Sequence, residues 1–246
     1  MSTTIATVFA TIDTTKPSAE ALLRAKGQLA WMKEQVNLSP AVADVYDVNA
    51  PHVTAARLAA RAATTATTDD DTLSAAIVAA AAATAVHINA TDDDVLKAIV
   101  AGHDVATRVI RTLTGHTAYD ATYAAAVLGA VTAVNTLTNR DLDTRLHAYG
   151  IASTQAARLA SQATDTPAAR AKDAADTAVE AGLLAAHGFT GPTTGIDGRR
   201  GVVTVIAEQA PTARFNDTGG ILAGVSYAIH AAGPDVTAHE VVAALG

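Results

Sequence analysis

The stretch GFTGP, Gly188–Pro192, ends an alanine-rich run and leads into GIDGRRG, Gly195–Gly201. It reads as a helix stop. Gly188 can take the left-handed cap conformation that alanine resists, and Pro192 bars the helix from restarting. The run it closes opens at Pro167, a residue suited to a first turn. A helix is therefore expected from Pro167 to His187.

The same punctuation recurs toward the N-terminus. Lys16-Pro17-Ser18 opens a helix with Pro17 and Glu20 suited to its first turn, and it ends before Pro40. Leu22, Leu23, Leu29 and Val36 fall near helical spacing there, with Trp31 and Met32 adding bulk. Val42–Asn49 shows no clear period. A second helix begins near Pro51 and carries Ala55, Leu58 and Ala62. TTATTDDDT, Thr64–Thr72, interrupts it, because Thr and Asp favour caps and turns. The next helix is expected from about Thr72 and holds Ala75–His87. Asn89–Asp92 caps a further one, with Asp93 and Asp94 in its first turn, whose Val95, Leu96, Ile99, Val100, Val105, Val109 and Leu113 form an amphipathic series. After the break Gly115-His116-Thr117, helices are expected at Tyr119–Leu137 and Asp141–Ala163, the latter with Leu142, Leu146, Ile151 and Leu159 in the core. Val202–Ile206 is β-branched and reads as a short strand. Two final helices, Thr218–Ala232 and Thr237–Leu245, flank Gly233-Pro234-Asp235.

At 246 residues the chain can bury one substantial core or two small ones. Half of it is hydrophobic but only 4% is aromatic, so small side chains dominate and closely packed helices are expected. The fold class is all-α, a multi-helix bundle. A net charge of −7 with no basic block argues against nucleic acid as a partner. The absence of cysteine excludes disulfides, thiol nucleophiles and the iron–sulfur cluster that aconitase-type dehydratases need. The opening MSTTIATVFATIDTTKP lacks the basic region of a signal peptide, and Ala75–His87 is too short and alanine-rich to span a bilayer. A cytoplasmic chain without a membrane partner is expected.

Four blocks carry a family resemblance: KPSAEALLRAKGQLAWM (Lys16–Met32), VLKAIVAGHDVATRV (Val95–Val109), VLGAVTAVNTLTNRDLDTRLHAYGIASTQAARL (Val127–Leu159) and EAGLLAAHGFTGP (Glu180–Pro192). In this order they resemble the helical domain of the MmgE/PrpD family, which includes 2-methylcitrate dehydratase and cis-aconitate decarboxylase. The resemblance covers residues 16–201 of a single helical domain, 1–246, with 202–246 left as a short loop or strand plus two C-terminal helices. It implies a homodimer formed through the helical domain, and a second α/β domain that is absent or vestigial here.

The resemblance also implies where a site would lie, and shows replacements there. The family's Asp-x-Asp-Asp-Thr loop falls at Thr68–Thr72, with Asp70, Asp71 and Thr72 matching and Leu73-Ser74 in place of the following His-Pro. Its Gly-Phe-His-Pro-Thr element falls near Tyr119–Thr122, with Asp120 where a histidine is expected. Its Lys-x-Leu-His-x-Gly element falls at PAARAK, Pro167–Lys172, with neither lysine nor histidine in register. Asp70, Thr72, His116 and Asp120 are the candidate catalytic residues. His116 is included because its loop is where the family places catalytic groups, although it is out of register. No cofactor and no metal is implied.

Other residues have blander readings. Asp69–Asp71 is a possible oxygen site for a divalent cation but fits a solvated helix start better, as does Asp92–Asp94. The eight histidines show no zinc spacing; His103 sits within a helix and His147 reads as structural. Arg199 and Arg200 suit a solvated turn better than a carboxylate clamp, and Gly219-Gly220 reads as a loop. Ser153 has no visible base partner. Three functions follow: a degenerate, non-catalytic binding or scaffolding protein; a lyase or isomerase acting on a small polycarboxylate with a rearranged site; or a half-enzyme completed by a second chain.

Overall fold

The computed structural model describes residues 5–10, 17–39, 50–113, 118–138, 140–159, 166–207 and 235–246. Its helices are α1 (Ile5–Ala10), α2 (Ala19–Leu38), α3 (Pro51–Ala62), α4 (Asp69–Ile88), α5 (Asp92–Leu113), α6 (Ala121–Thr138), α7 (Leu142–Ser153), α8 (Pro167–Ala186), α9 (Val202–Ala207) and α10 (Ala238–Ala243). Among the described residues there is no strand, only an isolated antiparallel bridge between Tyr119 and Leu159. The all-α bundle is as expected.

The start and stop chemistry is local. Ser18, Thr68, Asp141, Thr166 and Thr237 cap α2, α4, α7, α8 and α10, each accepting a first-turn backbone N–H. Pro17 therefore stands before the cap, not within the first turn. At Thr68 the cap is reciprocal, because the Asp71 carboxylate takes the Thr68 N–H in return. This moves the start of α4 from the expected Thr72 back to Asp69. At the other end of α8, Gly188 has φ +87°; its N–H reaches the Ala185 carbonyl, and that of Phe189 reaches Leu184. This paired closure satisfies two orphan carbonyls and requires the left-handed residue.

Helices α4 and α6 lie at the centre, packed on each other, with α5 and α8 against both and α3 against α4 and α8. Ala79, Ala80, Ala81 and Ala82 are fully buried, so methyl groups line the middle of the bundle. The apolar run Ala75–His87 belongs to a 20-residue helix, and α4 and α6 are both long and apolar enough to cross a membrane. Of their apolar windows 78% and 83% are buried inside the protein, the pattern of core helices.

Three expectations are corrected. Val202–Ile206 is helical: the N–H groups of Val202 and Val203 bond the carbonyls of Gly195 and Ile196, and Val202, Val203 and Ile206 share a buried face. The helix expected to Ala163 stops at Ser153, where Thr154 and Gln155 turn the chain. Leu142, Leu159 and Leu23 are exposed, while Tyr149 fills the core, bonding Thr132 at 2.7 Å and packing its ring 6.0 Å from that of Phe9. Val42–Asn49, Gly219-Gly220 and the helix expected at Thr218–Ala232 lie outside the described residues.

Two polar devices hold the outer helices. The Arg61 guanidinium donates to the carbonyls of Val36 and Ser39 at the end of α2 and of Leu245 after α10, tying two C-terminal ends to α3. On α5, Asp104 and Arg108 form a buried pair at 2.9 Å. Burial lifts the Asp104 carboxyl to about 6, against the opposing pull of Arg108 and Arg111.

Candidate functional site

The three central helices α4, α6 and α8 begin at the same end of the bundle. Asp69 is the first residue of α4, Asp120 immediately precedes α6, and Arg170 lies in the first turn of α8. The Arg170 guanidinium lies between the two carboxylates. Its Nη2 is 3.5 Å from Asp69 Oδ1 and its Nη1 is 3.5 Å from Asp120 Oδ2. Charge-assisted N–H···O bonds usually close to about 2.7–2.9 Å, so both contacts are loose.

Asp120 is placed by backbone geometry. Its Oδ1 accepts the Tyr123 N–H at 2.9 Å, capping α6, and its own N–H donates to the Arg158 carbonyl at 2.8 Å. Its side chain is only 6% exposed. Oδ2 is buried and makes no hydrogen bond, with the Arg170 charge as its neighbour; the Nε of Arg170 is likewise buried without a hydrogen-bond partner. Behind this layer, Arg158 lies 4.0 Å over the Tyr123 ring and bonds Asp173 at 2.7 Å. Burial raises the Tyr123 phenol above its usual range, opposed by its hydrogen bond to Thr177 and the Arg158 charge.

The candidate residues have different fates. Asp70 lies exposed in the first turn of α4; partial desolvation raises its carboxyl, followed by repulsion from Asp71 and Asp69. Thr72 is fully buried and its hydroxyl donates to the Thr68 carbonyl at 3.3 Å, turned to its own helix. His116 lies outside the described residues. Asp120 stands at the meeting of the three helix starts. Arg170 is not among the candidate residues expected from sequence, although it lies in PAARAK, the segment that falls on the family's lysine and histidine element. The only local sign was a cation in a first turn, where the helix dipole disfavours one.

The aspartate clusters serve their helices. Asp71 completes the cap of α4, Asp94 accepts the Thr91 hydroxyl at 2.7 Å, and Asp93 pairs with Lys97. Among the described residues no three His, Asp or Glu side chains form a group that could hold a metal ion. His103 is buried, its Nδ1–H donating to the Ile99 carbonyl and its Nε2 facing the Ser74 hydroxyl at 3.2 Å. His147 donates to the Gly191 carbonyl at 3.1 Å, and Ser153 to the Gly150 carbonyl at 2.7 Å. Arg199 and Arg200 are exposed on a turn.

The arrangement is thus one guanidinium, two carboxylates and three helix N-termini within one layer. The N-termini favour negative charge, and the chain's own aspartates supply it.

The family model described as the MmgE/PrpD N-terminal domain matches residues 69–214, more than half of the chain. The match starts at the first residue of α4, so the Lys16–Met32 block lies outside it. No curated protein matches the chain. The matched segment holds α4 to α9 and all three residues of the Asp69–Arg170–Asp120 layer, and the chain belongs to the MmgE/PrpD family.

Proposed function

We propose that this protein is a binding or scaffolding member of a dehydratase-type family, with a degenerate site and no lyase turnover of its own. The observation that supports this reading is the pairing of Arg170 with Asp69 and Asp120. A lyase acting on a polycarboxylate needs a cation open to the substrate and an acid or base at the reacting carbon. Here the cation faces internal carboxylates, and one of these also caps α6. Thr72 is bonded into its own helix. The test is incubation of the purified protein with 2-methylcitrate, citrate or cis-aconitate, followed by product analysis. No turnover is expected; turnover by the wild-type chain overturns the reading.

A second reading is favoured by one observation. Asp120 Oδ2 is buried and accepts no hydrogen bond, as a general base held ready would be. In that case the protein is a lyase or isomerase of a small polycarboxylate, using Asp120 with Asp70, Thr72 or His116. Turnover abolished by Asp120→Ala in a folded variant would establish it. With either reading we propose a cytoplasmic homodimer; a native complex containing a second, different subunit would point instead to a half-enzyme.

A further inference from the structure

We infer that the end of the bundle where α4, α6 and α8 finish is a docking surface for a basic, amphipathic segment of another protein, anchored on Phe189. The surface lies at the opposite end from the Asp69–Arg170–Asp120 layer. It goes beyond the proposed function and does not depend on whether that layer turns anything over.

The three helices begin in one layer and also finish together. Gly182, one turn before the end of α8, packs against Val134, one turn before the end of α6, and α4 packs on both helices. Neighbouring helix axes lie about 8–10 Å apart, so the three ends bound one small triangle. Large apolar side chains stand exposed on it: Ile88 at the end of α4 (39%), Leu142 at the turn from α6 into α7 (42%) and Phe189 just after α8 (59%). The loop that carries Phe189 is fixed. Its N–H bonds the Leu184 carbonyl, and the His147 ring donates to the Gly191 carbonyl. Gly191 lies so close to α7 that a Cβ there would come within 2.4 Å of the Ile151 nitrogen. An aromatic ring held out on so tight a frame loses little freedom when a partner covers it.

The charge around these side chains selects the partner. Asp92, Asp93 and Asp94 open α5 just beyond Ile88, and Asp141 and Asp143 flank Leu142; all five are exposed. Hydrogen bonds from Thr144 hold the Asp141 carboxyl below its usual range. Among the described residues of these helix starts the cations are Lys97, held by Asp93, Arg145, which donates to the Ala10 carbonyl, and Arg140. Carboxylates are therefore in excess. The ends of α4, α6 and α8 add partial negative charge, of which the first turns of α5 and α7 offset part. Two such surfaces repel each other, so a second copy is a poor occupant. A helical segment carrying lysine or arginine beside leucine-like side chains matches both the charge and the apolar triangle.

The probe is a fluorescent peptide of leucine and lysine in amphipathic helical spacing, with a leucine–glutamate peptide of the same pattern as control. Binding to the full chain is read by anisotropy at low and high salt, with circular dichroism confirming the fold of each variant. The lysine peptide is expected to bind the wild type, and Phe189→Ala to weaken binding about tenfold. Asp141→Asn/Asp143→Asn keeps the cap of α7 and is expected to weaken it about threefold at low salt and not at high salt. Leu38→Ala/Glu34→Gln alters an exposed apolar and an exposed acidic side chain near the start of α4 instead, and is expected to bind as the wild type does. The inference is overturned if the lysine peptide does not bind, or if the glutamate peptide binds equally well. It also fails if Phe189→Ala or Asp141→Asn/Asp143→Asn binds like wild type at low salt, or if Leu38→Ala/Glu34→Gln loses as much as Phe189→Ala. A native dimer that Phe189→Ala dissociates would put a second copy on this surface and likewise overturn it. Turnover of a polycarboxylate by the wild type removes the proposed function and leaves this comparison intact.

Discussion

Gly102 and Gly129 face each other across the crossing of α5 and α6, each with its missing Cβ aimed at the other's carbonyl oxygen. A Cβ on Gly102 would lie 2.8 Å from the Gly129 oxygen, and one on Gly129 would lie 2.7 Å from the Gly102 oxygen. Backbone cannot give way as a side-chain tip can. Alanine at either site improves helix propensity by at most about 1 kcal/mol, and overpacking costs about 1–3 kcal/mol. Gly102→Ala and Gly129→Ala are therefore each expected to destabilise by about 1 kcal/mol net, read as a lower urea midpoint. An unchanged midpoint would mean that the two helices can separate freely.

Arg61 serves two helix ends at once. Arg61→Ala removes charged donors from the carbonyls of Val36, Ser39 and Leu245. Hydrogen bonds to charged groups contribute about 1.5–3 kcal/mol net each, and water reaching the freed carbonyls at the helix ends replaces part of that, so a loss of about 3 kcal/mol is expected. Amide exchange should accelerate first at Val241–Leu245, where the end of α10 is released. Uniform acceleration across all helices would contradict this local role.

Asp104 sets a pH dependence. Its carboxyl is raised from 3.8 to about 6 in the folded state, so between these values the folded chain binds more protons than the unfolded one. Stability from this group is therefore greatest below about pH 4 and falls as pH rises through 6, by about 3 kcal/mol in all. The difference between the wild-type and Asp104→Asn stability curves should follow that slope from pH 4 to 7. A carboxyl resonance of Asp104 titrating near 4 would refute it.

Asp120 separates capping from charge. Asp120→Asn keeps an acceptor for the Tyr123 N–H, whereas Asp120→Ala removes it. Loss of a cap costs about 1 kcal/mol, so the alanine variant is expected to be the less stable of the two by about that amount in thermal unfolding. Equal stability of the two variants would mean that Asp120 contributes only through Arg170.

The legible parts of this chain are those decided within a few residues. Gly188 announces the end of α8, and Thr68 to Asp71 announce the start of α4 once Asp71 is recognised as the reciprocal cap. Val202–Ile206 misleads because β-branched residues suit any half-buried surface, and here Val202, Val203 and Ile206 supply one face of a short helix. Leu142 and Leu159 mislead because a large apolar side chain beside a helix start or a turn has no partner above it, while Tyr149 finds Thr132 and Phe9. Asp120 could be named because one family element falls on it. Arg170 could not, because its partner Asp69 lies 101 residues away and the contact exists only after three helices have packed.

A middle made of methyl groups has a consequence for how this molecule can change. Ala79 to Ala82 are fully buried, and the glycine pair, packed against Ile77 of the same helix, admits no Cβ without a shift. Novelty in chemistry must therefore arise at the rims, where caps and loops can be rewritten without moving a helix axis. One replaced residue at such a rim can change what a ligand meets there while the scaffold beneath it keeps its shape.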